Sequence, residues 1–263
     1  MQLPPNVDWL VPQWPAPPRV RAICTTRAGG ISVSPWDSLN LGTHVRDDPA
    51  AVQHNRALLQ SALGVRPVFM EQVHGSQVQP ITPGTADGCV ADAAVTQAPG
   101  LACTVMVADC LPVLLCDTEG QQVAALHAGW RGLVGQGDVG VLEAGFMSFD
   151  ALAPVESAQA AIKIIAWLGP CIGPDAFEVG NEVRAAFVEH TPQAADCFQP
   201  LGGGKWLADL AGLARQRLNA LGVTDIYGND SSAPWCTVAN PLRFFSHRRD
   251  RVSGRQAACI WLV

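Results

Sequence analysis

Leu101-Ala102-Cys103-Thr104-Val105-Met106-Val107-Ala108 is an uncharged, largely apolar and β-branched run bounded by Gly100 and Asp109. A run of that length between turn signals reads as a strand buried on both faces. After Asp109-Cys110-Leu111-Pro112 the same character resumes over Val113 to Cys116, and a third stretch, Gln122 to His127, follows the Glu119-Gly120 turn. Further out, Val20 to Thr26, Pro67 to Val73, Ile162 to Leu168 and Gln256 to Val263 read as strands. Helical patterns lie between them. Asp47 or Asp48 caps a helix through Leu63 with Pro49 in its first turn. Val139 to Phe149, Pro174 to Val188 and Leu207 to Leu221 follow, the last stopping at Gly222. Strands and helices are interleaved with no internal repeat and no linker-like break, which predicts one α+β domain over residues 19–263. Residues 1–18 carry six prolines and read as an extended, surface-running N-terminal arm.

Composition narrows the function classes. Apolar residues make up 48% of the 263 and charged residues 15%, so a substantial core is available and global disorder is excluded. The net charge of −6 argues against a protein held on nucleic acid by its overall charge. No apolar run approaches the ~18 residues that span a bilayer. The N-terminus lacks the basic and apolar regions of a signal peptide. Nine cysteines with no Cys-x-x-Cys pair then predict reduced thiols in a cytoplasmic protein, most of them small packing residues.

Three strand ends pass straight from apolar residues into a metal-ligand type. They are Gln72-Val73-His74-Gly75, Ala108-Asp109-Cys110-Leu111-Pro112 and Leu126-His127-Ala128-Gly129-Trp130-Arg131-Gly132. Two imidazoles and one thiolate suit zinc or copper, and three protein ligands with one open position is the pattern of catalytic zinc. Small residues beside them let backbone and substrate approach closely, and Pro112 is expected to end regular pairing just past Cys110. The separations are not a compact metal signature, so the same residues also admit a metal-free pair with Cys110 as nucleophile and His127 as base.

These segments, together with Phe69-Met70-Glu71-Gln72, Leu168-Gly169-Pro170-Cys171-Ile172-Gly173-Pro174 and Phe244-Phe245-Ser246-His247-Arg248-Arg249-Asp250, resemble the bacterial YfiH family. It is also called the multicopper polyphenol oxidase or laccase-domain family and is related to mammalian FAMIN. The likeness extends from Thr25-Thr26-Arg27 and Ser38-Leu39-Asn40-Leu41-Gly42 to the final strand. The resemblance implies an α+β single-domain layered sandwich of mixed β-sheets flanked by helices, distantly similar to a bacterial toxin deamidase. It implies His74, Cys110 and His127 as metal ligands, with zinc as the cofactor and copper as the alternative. It also implies purine nucleosides and phosphate as small-molecule partners. The activities implied are phosphorolysis of adenosine, inosine, guanosine and methylthioadenosine, and deamination of adenosine. Other members are described as copper-dependent polyphenol oxidases. A cytoplasmic monomer or small homo-oligomer, with no nucleic acid and no membrane, is expected.

Zinc lowers the pKa of a bound water towards ~7, which suits attack on C6 of adenine. Asp109 and Glu71 are the nearest carboxylates in sequence for a proton shuttle, beside the plainer role of orienting an imidazole. Phosphorolysis asks for an anion pocket, and Arg27, Arg131, Arg248 and Arg249 are the arginines beside the motifs. The His-x-Glu and Pro-Cys-x-x-Cys signature of zinc nucleobase deaminases is missing, so deamination rests on the resemblance. Six histidines are few for a multicopper cluster, and His44, His54, His190 and His247 are scattered. An interaction factor in cell-envelope quality control with a vestigial pocket is the non-enzymatic alternative; the intact triad argues against it. Two features depart from the family. Arg46 stands in a turn where members often carry Gly, and Gly135-Gln136-Gly137-Asp138-Val139-Gly140 spells the skeleton of a dinucleotide fingerprint. The acidic residue that fingerprint needs ~20 positions on is missing, so a flexible glycine loop near the metal is expected.

Overall fold

In a computed structural model, which describes residues 7–137, 139–152 and 163–263, the Leu101 run forms strand β5 (Leu101–Val107) with every residue buried. The two-residue period of a strand sends Leu101, Cys103 and Val105 to one face and Ala102 and Met106 to the other. β5 lies in a four-stranded sheet of order β1 (Val20–Cys24), β13 (Gln256–Leu262), β5, β2 (Arg66–Phe69), antiparallel except for the β5–β2 pair. The next two runs form β6 (Leu111–Asp117) and β7 (Val123–Ala128) at the middle of a six-stranded sheet. Its order is β12 (Asp225–Gly228), β8 (Ile164–Leu168), β6, β7, β4 (Ala93–Thr96), β3 (Val78–Pro80), with only the outermost pairs parallel.

The two sheets pack face to face. Cys103, Val105 and Ile260 of the smaller meet Leu114, Cys116, Ala125 and Trp167 of the larger in one core. The smaller sheet's outer face, with Ile23, Met106 and Trp261, is covered by Leu59 and Leu63 of α1 (Pro49–Leu63). The larger sheet's outer face, with Val113, Leu115 and Leu126, is covered by Leu142 and Phe149 of α3 (Val141–Ala151) and Leu213 of α5 (Leu210–Ala220). Because both faces of each sheet are covered, the central strands are apolar throughout rather than alternating. A small antiparallel sheet of β10 (Phe198–Gly202), β11 (Lys205–Ala208) and β9 (Glu178–Gly180) sits beside α4 (Asn181–Val188). The chain thus forms the α+β fold that its sequence pattern predicts, in the layered sandwich of mixed sheets flanked by helices that the family resemblance implies.

Local departures have physical causes. The helix expected over Pro174 to Val188 begins only at Asn181, because Glu178–Gly180 is taken up by pairing with β11. The strand expected to reach Val73 stops at Phe69. The Gln72 side chain bonds both the N–H and the carbonyl of Met106, at 2.8 Å each, so a side chain replaces backbone pairing there. Pro112 does not end pairing; β6 runs through it opposite His127. The Pro112 carbonyl accepts from the Gly169 N–H, and the Gly169 carbonyl accepts from Asn229 Nδ2 at 2.9 Å, so the missing proline donor leaves no orphan.

The glycine fingerprint does not follow a strand directly. The one-turn helix α2 (Trp130–Val134) intervenes after β7 and ends at Gly135. A Cβ at Gly135 would stand 2.0 Å from the Val139 carbonyl oxygen, with φ at +72°. The glycines therefore serve a tight reversal between two helices; Asp138 lies outside the described residues. In the Pro-rich arm, Trp9 is buried against the α1 core and Leu10 exchanges two 2.8 Å backbone bonds with Cys24; Pro4 and Pro5 lie outside the described residues, as does Ile162. Among the described residues no helix is long and apolar enough to cross a membrane.

Leu114→Ala, which empties a fully buried position between the sheets, should lower unfolding free energy by about 2–5 kcal/mol in urea titration. Asp48 accepts from the Ala50 N–H at the start of α1, and Asp48→Ala should cost about 1 kcal/mol.

Candidate metal centre and its pocket

His74, Cys110 and His127 come from three loops or strand ends that the sandwich brings to one edge. His74 lies beyond β2 with φ of +60°, and Cys110 follows Asp109, whose φ is +95°, in the turn between β5 and β6. His127 stands on β7 on the same face as Val123 and Ala125, the face turned to the smaller sheet. One nitrogen or sulfur from each lies within 4.8 Å of the others, and Cys110 Sγ is 3.7 Å from His74 Nε2. The two imidazoles meet edge to face with centroids 4.8 Å apart.

Asp92, wholly buried just before β4, organises this group. Its Oδ1 accepts from His127 Nδ1 at 2.8 Å and from the His74 N–H at 2.9 Å. Its Oδ2 accepts from the Val73 and Gly75 N–H groups at 3.1 and 2.7 Å. The His127 N–H in turn donates to the Asp92 carbonyl at 2.7 Å. With Nδ1 held, Nε2 of His127 is the atom left to face Cys110 and His74. Burial opposes ionisation of Asp92, but its bonds to His127 and to the 73–75 amides outweigh that and hold its pKa below the usual carboxylate range.

The donor set fits a metal ion. Zinc bonds of about 2.0–2.3 Å place tetrahedral ligand atoms roughly 3.3–3.8 Å apart, so the three atoms need only a small closure. Gly129 makes room for it: a Cβ there would stand 2.9 Å from His74 Cδ2 and 3.0 Å from Cys110 Sγ. A Cβ at Gly132 would meet the Gly75 carbonyl at 2.7 Å, so α2 and the His74 loop also touch through glycine. The ligands open into a cavity of about 390 Å³, within the usual range of small-molecule sites. Trp130, Ile172 and Phe177 contribute apolar lining, and His44, Arg248, Arg251 and Arg255 also line it.

A family described as multi-copper polyphenol oxidoreductase laccase matches residues 21–263. The chain belongs to this family, that of the YfiH proteins. It is 49% identical to a purine nucleoside phosphorylase of Pseudomonas aeruginosa, over 97% of this chain and 98% of that one. It is 48% identical to the purine nucleoside phosphorylase YfiH of Escherichia coli, again over 97% and 98%. A crystal structure of a Neisseria meningitidis protein superposes with a TM-score of 0.84 at 42% identity, covering 97% and 99% of the two chains.

In this YfiH-family chain His74, Cys110 and His127 are the one group of three or more metal-ligand side chains among the described residues, whatever the plural in the family's description. All nine thiols are free. Burial raises Cys116 and Cys259 to about 12 and Cys197 to about 11. Cys110 goes the other way. Burial would raise it too, but the charge and hydrogen bonds of His127 and His74 lower it to about 6. Burial likewise opposes a charged His127, yet Cys110 and Asp92 raise it to about 9. Both shifts favour a Cys110 thiolate beside a protonated His127, with the Asp92 carboxylate behind it.

The other sequence candidates divide. Asp109 lines the cavity, but Oδ1 accepts from Thr237 Oγ1 and Oδ2 from the Arg248 N–H, both at 2.6 Å. Glu71 borders a neighbouring cavity of about 460 Å³ instead. Arg248 reaches the metal pocket; Arg27, Arg131 and Arg249 are not among the residues lining it. The Arg27 guanidinium is engaged by Asp37 and the Pro241 carbonyl. Arg131 stacks on Trp130 at 4.5 Å. Arg249 is paired with Asp250 and bonds the carbonyls of Thr237, Val238 and Phe244. Sequence reasoning missed Asp92, whose signal was a lone acid inside the apolar run from Val90 to Val95. It also missed His44, Arg251 and Arg255, which carry no local signature.

Two outcomes follow for metal binding. Asp92→Asn should weaken zinc affinity about 10–100-fold in a competitive chelator titration. A metal-bound imidazole must be neutral, so between pH ~6 and ~9 loading expels the His127 proton. Affinity should then rise about tenfold per pH unit in that window and level off above it, which calorimetry in buffers of different ionisation enthalpy would read as one released proton.

Proposed function

We propose that this chain is a zinc-dependent purine nucleoside enzyme. In this reading it phosphorolyses adenosine, inosine, guanosine and methylthioadenosine and also deaminates adenosine. The observation that carries the proposal is that one cavity is lined by His74, Cys110 and His127 together with the aromatic Trp130 and Phe177 and with three arginines. The Pseudomonas and Escherichia relatives are named purine nucleoside phosphorylases, which supports the phosphorolysis part of this reading. Zinc held by the three ligands supplies Lewis acidity and an activated water.

The chain's own residues supply the rest. Trp130 and Phe177 offer ring faces for a purine, which stacks on aromatics regardless of its substituents. Arg248 presents a planar fork to phosphate. Asp109, both of whose oxygens already accept short hydrogen bonds, is a positioning residue: it ties the Cys110 turn to Thr237 and to α6 (His247–Asp250). His44 is held neutral first by burial and then by Arg255 and Arg56, which leaves an imidazole able to accept a proton inside the pocket.

A second reading keeps the residues and drops the metal. Cys110, His127 and Asp92 stand in the order of a nucleophile, its base and the carboxylate that orients the base. The third, copper-dependent phenol oxidation, uses the same two imidazoles and thiolate.

Zinc-loaded, copper-loaded and metal-free protein, each given adenosine with phosphate and separately a phenol, distinguishes the three. Adenine, inosine and hypoxanthine should appear with the zinc form and not after chelation. Nucleoside turnover that survives chelation would establish the thiolate reading, and phenol oxidation by the copper form with no nucleoside turnover by the zinc form would establish the third. Cys110→Ala should abolish turnover in each case.

A further inference from the structure

The three arginines lining the metal pocket differ from five part-buried arginines elsewhere in the molecule. Arg27, Arg56, Arg217, Arg243 and Arg249 are each paired with a carboxylate. Arg248, Arg251 and Arg255 are in no ion pair among the described residues. The Arg248 guanidinium bonds only the carbonyls of Ala176 and Glu178, at 3.4 and 3.0 Å. That of Arg255 bonds only the carbonyls of Ser253 and Gly254, at 2.9 and 3.0 Å. Arg251 follows α6 at φ of +64°, a region a long side chain seldom adopts, and it is exposed at the cavity. Carbonyl bonds orient a guanidinium without neutralising it.

The nearby negative groups form no ion pair with these guanidiniums. Asp109 and Cys110 lie within electrostatic reach of Arg255, but the Asp109 oxygens are turned to Thr237 and the Arg248 backbone, and the Cys110 thiolate belongs to the ligand set. Gly42 makes space for the arginine stem, since a Cβ there would stand 2.8 Å from Arg255 Cγ. A pocket lined by three guanidiniums that form no ion pair among the described residues suits an anion.

Resting on the phosphorolysis reading above, we propose that Arg251 and Arg255, together with Arg248, form a single oxyanion cradle. It receives the phosphate dianion as co-substrate and holds the same group as the pentose 1-phosphate product. One phosphate oxygen forms the bond to C1′. The C1′–N9 bond breaks with its electron pair leaving on the purine, and the purine takes the proton that the phosphate oxygen gives up. The phosphoryl oxygens stay on the guanidiniums throughout, so the product ester competes with phosphate.

The test uses the zinc-loaded full chain and Arg251→Gln, whose side chain is exposed, with Arg255→Gln as the buried counterpart and Arg251→Lys as the conservative variant. The KM for phosphate should rise at least tenfold in Arg251→Gln while the KM for adenosine moves less than twofold, with partial recovery in Arg251→Lys. Pentose 1-phosphate should inhibit competitively against phosphate. An unchanged phosphate KM in Arg251→Gln overturns the cradle even if phosphorolysis proceeds. If the wild type phosphorolyses nothing, the function reading fails by itself, and calorimetric titration with inorganic phosphate decides the cradle separately. Binding that weakens at least tenfold in Arg251→Gln supports it, and no wild-type binding at millimolar phosphate overturns it.

Discussion

The buried carboxylate of Asp92 is the constraint on which the site depends. It accepts four hydrogen bonds, one from the His127 ring and three from consecutive amides around His74. Two of the three candidate ligands are thereby referred to one charged group at the edge of β4. A fully buried carboxylate is tolerable only when its lone pairs are satisfied, so this group could not be placed without the loop and the imidazole that satisfy it. The same bonds that stabilise the charge therefore fix the His127 tautomer and the turn of His74.

The sandwich makes that arrangement rigid. β7 is central in the larger sheet, between β6 and β4, and brings His127 to the end of the inter-sheet core. β5 and β6 belong to different sheets, so the turn between them, with Asp109 and Cys110, crosses from one layer to the other. Glycines do the fitting where backbones or ligands approach most closely, at Gly129 and Gly132. Two non-glycine residues with positive φ, His74 and Asp109, sit in this same small region. Such conformations persist where surrounding bonds over-determine them; here those bonds come from Asp92, Thr237 and the Arg248 N–H.

Much of the fold was legible because burial on both faces writes itself as continuous apolar runs, and because Asp48, Pro49 and Gly64 frame α1 by local chemistry alone. The failures share one cause. Pro174 to Val188 carries a helical pattern, but Glu178–Gly180 gains a partner in β11 that no local signal announces. Pro112 keeps its place in β6 because Asn229, far along the chain, serves the carbonyl that proline cannot. Among the arginines, proximity to a motif proved a poor guide: Arg27 and Arg131 are spent on Asp37 and Trp130, whereas Arg251 and Arg255 reach the cavity from the C-terminal part of the chain.

By itself the sequence pattern determined the α+β class and marked His74, Cys110 and His127 as ligand types at strand ends, because strand burial and ligand chemistry are properties of short segments. The layered arrangement came through family resemblance. The tertiary structure alone decided that these three meet, that Asp92 orients them, and which arginines face them. Those are relations between residues distant in sequence, set by how two sheets pack and by where buried polar groups find partners. Of nine thiols equal in composition, Cys110 between two imidazoles has its pKa lowered, whereas burial raises those of Cys116, Cys197 and Cys259.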